Sequence, residues 1–329
     1  MSFDSSITAC FVLHESGEDL APLLQTLEGQ TRPPDHLVAC VNGPEGGVLE
    51  RLRALGDKVT VLHRPENPGF STAVNACLDH VTTSHVLLIN PDVELDPDYI
   101  GRCLQVFDEE ERVAGVSGLL LRPSGREGVE TLDTAGFVTQ PWMRIVDRGS
   151  GAEGNDIFTE RESVVGVCAA ATVFRMDSLR EVAEEGRVLD EDFWMYKEDQ
   201  DLCIRLREIG QRLIFEPSAR GRHRRGWAPE MRRTKIGLKL RQHSLKNRYL
   251  ILLKHWRFRE HIWTLPFLVG FEAFLFTALV LREPKTMKGY LLALRLVPRM
   301  LEKRRALMKR VQGLGREYLS RPPTIPLVP

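Results

Sequence analysis

At 329 residues, 43% hydrophobic and 27% charged, the chain can bury a full core and has the composition of a soluble globular protein, expected as one catalytic-size domain plus an appendage. Its formal net charge of zero hides a division: residues 222–329 hold 25 Lys and Arg against 6 Glu and no Asp, so an acidic body carries a basic tail. Six cysteines (Cys10, Cys40, Cys77, Cys103, Cys168 and Cys203) are widely spaced with no CxxC pair, the pattern of small core residues in a reducing compartment. The opening MSFDSSITACFVLHES lacks a basic segment followed by an adequate apolar run, so no signal peptide is expected and the protein should stay in the cytoplasm.

Short apolar runs alternate with helix-like segments over the first hundred residues. Strands are predicted at ITACFVL, HLVACV, KVTVLH and HVLLIN, with helices near 18–29, 46–56 and 70–81 between them. Near-continuously apolar strands separated by helices imply βαβ units: an α/β, Rossmann-like, mostly parallel sheet with helices on both faces. Ligands of such sheets bind beyond the carboxyl ends of the strands. That rule sets His14-Glu15, Asn42-Gly43, Asn67-Pro68-Gly69 and Asn90-Pro91-Asp92 along one rim. One such group is an ordinary turn; four at equivalent positions favour a nucleotide-sized site. No Walker loop and no GxGxxG occurs, so a divalent metal on carboxylates is the expected way of handling phosphate. Asp96-Pro97-Asp98 reads as the cap and first turn of a further helix.

Residues 121–160 read as loops or short hairpins covering the site, and SVVGVCAAATVFR as a buried strand whose small residues let something pack closely. In DEDFWMYKEDQDLCIRLREIGQRLIFEP a helix starting at Glu198 turns Leu202, Ile204, Leu206 and Ile209 toward the core and ends at Gly210. Glu198, Asp199 and Asp201 crowd its first turn, where the dipole alone favours acids. The aromatic Phe193, Trp194 and Tyr196 just before them also suit a general base acting on a sugar hydroxyl. EPSARGRHRRGW then sets His223 among Arg222, Arg224 and Arg225, either a solvated basic run or a clamp for an anionic leaving group.

ENPGFSTAVNACLDHVTTSHVLLINPDVELDPDYI and FWMYKEDQDLCIRLREIGQRLIFEPSARGRHRRGW closely resemble family-two inverting glycosyltransferases of the GT-A fold, particularly bacterial rhamnosyltransferase-like members. The resemblance spans about residues 5–260, several motifs falling in the right order. It implies a nucleotide-sugar glycosyltransferase domain over 1–230 and a basic, apolar helical extension over 231–329. By it, Asn90-Pro91-Asp92 stands at the DxD motif: Asp92 matches the metal-binding acid, and Asn90 replaces an Asp that contacts the ribose. Asp199 matches the catalytic base, with Glu198 beside it. His223 matches a histidine that ligates the metal, Mg²⁺ or Mn²⁺, in some members. Asn42 stands where many relatives carry a base-recognising Asp, which leaves the nucleotide open between dTDP- and UDP-linked donors. His14, Glu15, Asn67, Arg222 and Arg225 complete the expected donor site, and Trp194 with Glu198 the acceptor side.

HIWTLPFLVGFEAFLFTALVLR, residues 261–282, is long enough to invite a transmembrane assignment, yet Pro266 and Glu272 lie inside it. Three readings stay open: helices on the inner leaflet, packing on the catalytic domain or a dimer partner, and true spanning. Flanking basic segments interleaved with Leu, Trp, Phe and Val favour anionic lipid over nucleic acid. The resemblance adds a lipid-linked glycan acceptor of cell-envelope synthesis. A sugar-nucleotide nucleotidyltransferase is the competing enzyme class, weakened because VLHESGEDLAP is acidic where that class needs a basic glycine-rich loop; a silent membrane-bound scaffold of the same fold is the third reading.

Overall fold

The structure, a computed structural model, describes residues 5–44, 46–124, 129–153, 157–225 and 235–313. In chain order it runs β1 (Ile7–Leu13), α1 (Leu20–Glu28), β2 (His36–Val41), α2 (Gly46–Arg53), β3 (Val59–His63), α3 (Phe70–Leu78) and β4 (His85–Ile89). There follow β5 (Val93–Leu95), α4 (Tyr99–Glu109), β6 (Val113–Pro123), β7 (Glu130–Thr134), β8 (Phe137–Thr139), β9 (Ile145–Asp147), β10 (Glu162–Ser163), β11 (Ala171–Arg175) and α5 (Met176–Glu181). The chain continues through α6 (Glu198–Glu208), β12 (Arg212–His223), α7 (Leu238–His255), α8 (Phe258–His261), α9 (Leu265–Arg282) and α10 (Lys288–Gly313).

The main sheet is ordered β10-β12-β6-β11-β4-β1-β2-β3, with β5 on β12 and β7 on β6. β3, β2, β1 and β4 are parallel neighbours, as the apolar runs predict. Beyond β4 the sheet is mixed, because β11 runs antiparallel to both β4 and β6. Alternation along β1 decides the layers. Ile7, Ala9, Phe11 and Leu13 join α1, α2 and α4 in one core, while Cys10 and Val12 join α3, α5 and α6 in the other. Five cysteines are buried among these clusters and the sixth, Cys168, is half-buried; all are free thiols.

The predicted 163–175 strand is two strands separated by a loop, which packs where Gly166 leaves room: a Cβ there would lie 2.7 Å from Phe137 and 3.0 Å from Cys203. The 121–160 region does form hairpins, β8 with β9 and β7 against β6. Within α6, Ile204 turns from the main core to a third apolar cluster, with Phe193, α7 and α10. The fully buried α6 residues include Arg205, whose guanidinium reaches Asp201 (2.8 Å) and the carbonyls of Val182 and Val188 (both 2.7 Å). Gly210, at φ +80°, ends this helix as predicted.

Among the described residues one helix, Phe258–Arg282, is long and apolar enough to cross a membrane, with mean hydropathy 2.0 and only 11% of it buried. Its lone mid-span acid does not face outward. Arg248 of α7 pairs with Glu272 at 2.6 Å, the Tyr249 hydroxyl donates to it, and Phe271 stacks on Trp142 at 5.7 Å. The remaining faces of α9 and α10 expose Phe267, Phe274, Leu281, Leu291 and Leu294.

Candidate active site

Strand pairing builds the centre of the site. β5 runs antiparallel to β12 with Val93 opposite His223, which delivers Asp92, one residue before β5, to the imidazole. His223 Nε2 lies 3.3 Å from Asp92 Oδ1, and Nδ1 lies 2.9 Å from Oδ2 of the buried Asp133 on β7. Burial opposes charge on both groups, yet their partners win: the hydrogen bonds to Asp133 and then Asp92 raise His223, and the His223 hydrogen bond and charge hold Asp92 below the usual carboxylate range. Asp133 also takes the Arg225 guanidinium at 2.7 Å, whose second arm reaches Asp147 at 3.1 Å.

This donor set fits a divalent cation. Octahedral Mg²⁺ holds oxygen ligands at about 2.0–2.1 Å, so adjacent ligands stand roughly 3 Å apart, close to the separation seen here. With Nδ1–H donated to Asp133, Nε2 is the nitrogen left to bind, the arrangement that orients a ligating histidine. Glu184, Asp190 and Asp201 form another acidic group, their oxygens within 4.8 Å of one another. The Lys254 ammonium already occupies its centre, reaching them at 2.5, 3.0 and 2.9 Å, which leaves Asp92 and His223 as the candidate metal ligands.

The expected base lies close by. Asp199 is half-buried at the start of α6, where the Gln200 amide donates to Oδ1 at 2.8 Å. Burial and the nearby Asp147 outweigh the Gln200 and Ala169 amides and lift its pKa to about 6. Its neighbour Glu198 is buried, with Oε2 unpartnered among the described residues, and burial plus the Asp199 charge raise it to about 8. Base and metal position are joined through one dipeptide: Ala169 reaches Asp199, and the Ala170 carbonyl accepts the Asn90 amide at 2.8 Å. Asn90 itself is half-buried in the turn between β4 and β5.

On the rim, His14, Asn42 and Asn67 close a ring of hydrogen bonds. His14 Nδ1–H donates to the Asn42 carbonyl (2.7 Å), Asn42 Nδ2 to Asn67 Oδ1 (2.9 Å), and Asn67 Nδ2 to His14 Nε2 (3.4 Å). Asn42 Oδ1 is buried without a partner among the described residues, an acceptor facing a missing donor. Glu15 is exposed beside them in left-handed backbone (φ 52°). Trp194 bridges this rim to the extension: its ring lies where a Cβ on Gly69 would intrude, at 2.3 Å, and stacks on His243 of α7 at 4.6 Å.

The arginines divide. Arg225 belongs to the Asp133–His223 group. Arg224 pairs with Asp19 at 2.8 Å. Arg222 is not brought to the site: alternate β12 residues face opposite ways, and its guanidinium turns outward to Glu130 at 2.7 Å. Asp133 and Asp147 were not anticipated from sequence. They lie in hairpins with no periodic signal, and their partners His223 and Arg225 are far along the chain.

Comparison with known proteins bears on this geometry. A sequence profile described as Glycosyl transferase family 2 matches residues 8–182. An N-acetylglucosaminyl-diphospho-decaprenol L-rhamnosyltransferase of Mycobacterium tuberculosis is 23% identical over 237 residues, 64% of this chain and 74% of that protein. A mannosyltransferase from Pyrobaculum calidifontis, solved with GDP-Man and Mn²⁺, superposes with TM-score 0.54 at 14% identity, covering 96% of this chain and 89% of that one. TarS residues 1–349 from S. aureus give 0.56 at 12% identity, covering 95% and 91%. GalNAc-T7 with UDP, GalNAc and Mn²⁺ gives 0.58 at 13% identity over 76% of this chain, which spans about half, 48%, of that structure.

Proposed function

The chain belongs to glycosyl transferase family 2, and from that premise we propose that it is an inverting, metal-dependent glycosyltransferase moving rhamnose or a similar sugar from a dTDP- or UDP-sugar to a lipid-linked acceptor in envelope glycan synthesis. The observation that carries this is the joining of Asp199, a carboxylate with its pKa near 6, to the turn bearing Asp92 and its partner His223. Family membership also argues against the nucleotidyltransferase alternative.

In the proposed mechanism Asp199 takes the acceptor hydroxyl's proton as that oxygen attacks the anomeric carbon from the face opposite the nucleotide, so configuration inverts. Asp92 and His223 would hold Mg²⁺ or Mn²⁺, which would supply positive charge to the diphosphate as it departs. Arg225 and Asp133 fix the imidazole from behind. The orphan Oδ1 of Asn42 suits the imide N–H that uracil and thymine share. Incubating the protein with a panel of nucleotide sugars, Mn²⁺ and a polyprenyl-diphosphate acceptor should release one nucleoside diphosphate above background, abolished by EDTA. Release from no donor would sink the reading.

The exposed apolar α9, flanked by basic segments, supports peripheral binding to anionic lipid on the cytoplasmic face, with Glu272 kept on the protein side. In flotation, anionic vesicles should carry the protein upward and neutral ones much less. Indifference to both, in protein active on a soluble acceptor, would contradict this.

A further inference from the structure

The backbone that delivers Asp199 is left-handed at three non-glycine residues, Trp194 (φ 66°), Tyr196 (72°) and Lys197 (68°). The carbonyls of Asp192, Phe193, Met195 and Tyr196 converge on a single turn of α7. There the Asn247 amide shares its two hydrogens among the oxygens of Phe193 (3.0 Å), Met195 (2.8 Å) and Tyr196 (2.6 Å). The Lys246 ammonium donates to the carbonyls of Asp192 and Phe193. Lys197 closes the contact in the other direction, donating to the Ser244 carbonyl (3.3 Å) and hydroxyl (3.0 Å).

Asn247 is fully buried, and its own oxygen has no partner among the described residues, so the amide serves the loop as a donor. Without Lys246 and Asn247 the loop's inward carbonyls lose the donors that offset its unfavourable path. The next two residues, Arg248 and Tyr249, hold Glu272 of α9, so the turn that grips the loop also grips the exposed apolar helix.

We propose that Lys246 and Asn247 are positioning residues for Asp199, so that α7, which like Asp199 lies beyond the segment matched to the family, completes the active site. This rests on Asp199 being the base. The test compares wild type with Asn247→Leu, which keeps the volume and removes the donors, and with Lys246→Met. Each variant should lose about 10²-fold in kcat, the scale expected when a reacting group is displaced by about 1 Å. Mn²⁺-dependent nucleotide affinity should hold within about threefold. Amide exchange over residues 193–197 should accelerate while β1 and β4 stay protected. If Asn247→Leu fails to fold, Lys246→Met decides alone. Variants with wild-type kcat and unchanged loop exchange would overturn the inference, leaving the functional reading intact. A wild-type protein that transfers no sugar would overturn both.

Discussion

Replacing Asp199 by Asn should lower transfer by roughly 10²–10⁴-fold, the usual contribution of a positioned general base, while donor affinity stays within about twofold. The asparagine keeps the shape and the Gln200 amide bond but cannot accept the acceptor's proton. The pH profile follows from the same group. Its pKa is raised to about 6, so the base is mostly ionised at neutral pH and is lost as pH falls through 6. The rate should therefore fall about tenfold per unit below that point. A variant with wild-type turnover, or a flat profile between pH 5 and 7, would remove Asp199 from the role.

Replacing Lys254 by Met should be among the most destabilising single changes in the chain. Its ammonium is completely buried among Glu184, Asp190 and Asp201, and removing it strands carboxylates that Arg205, His255 and Lys303 neutralise only in part. Breaking a buried pair in this way costs roughly 3–5 kcal/mol. For a chain of this size that is a fall in Tm of about 4–7 °C. Asp201 and Asp190 are held below their usual range, against the burial that opposes their charge. Their contribution is therefore fully present above the ordinary Asp pKa and is lost as pH falls through the lowered values. Scanning calorimetry at neutral pH reads the effect. A Tm within about 1 °C of wild type would mean the network is balanced without Lys254.

The parallel half of the sheet was legible because its strands are short, apolar and flanked by turn residues; β1 to β4 fall within a residue of the predicted runs. Asp92, His223 and Asp199 were singled out through motif resemblance, not local pattern, and the structure sets the first two side by side. Asp133 was not, since only the pairing of β6 and β7 brings it under His223. The outward turn of Arg222 was not legible, because a basic run carries no sign of which residues face inward until the strand is known; His223 then takes the inner face. The chemistry of α6 was read from its first turn alone. Its buried Asp201–Arg205 pair looks like a surface i,i+4 pair in sequence and becomes a core network only once α7 and α10 pack on it.

Calorimetric titration of dTDP and UDP into the protein, with Mn²⁺ and with EDTA, tests the metal-assisted donor site without needing an acceptor. At least one nucleotide should bind with Mn²⁺ and lose most of that affinity both in EDTA and in the Asp92→Ala variant. Equal affinity in EDTA, or an Asp92→Ala protein that still binds as wild type does with Mn²⁺, would contradict the assignment of Asp92 and His223 to the cation.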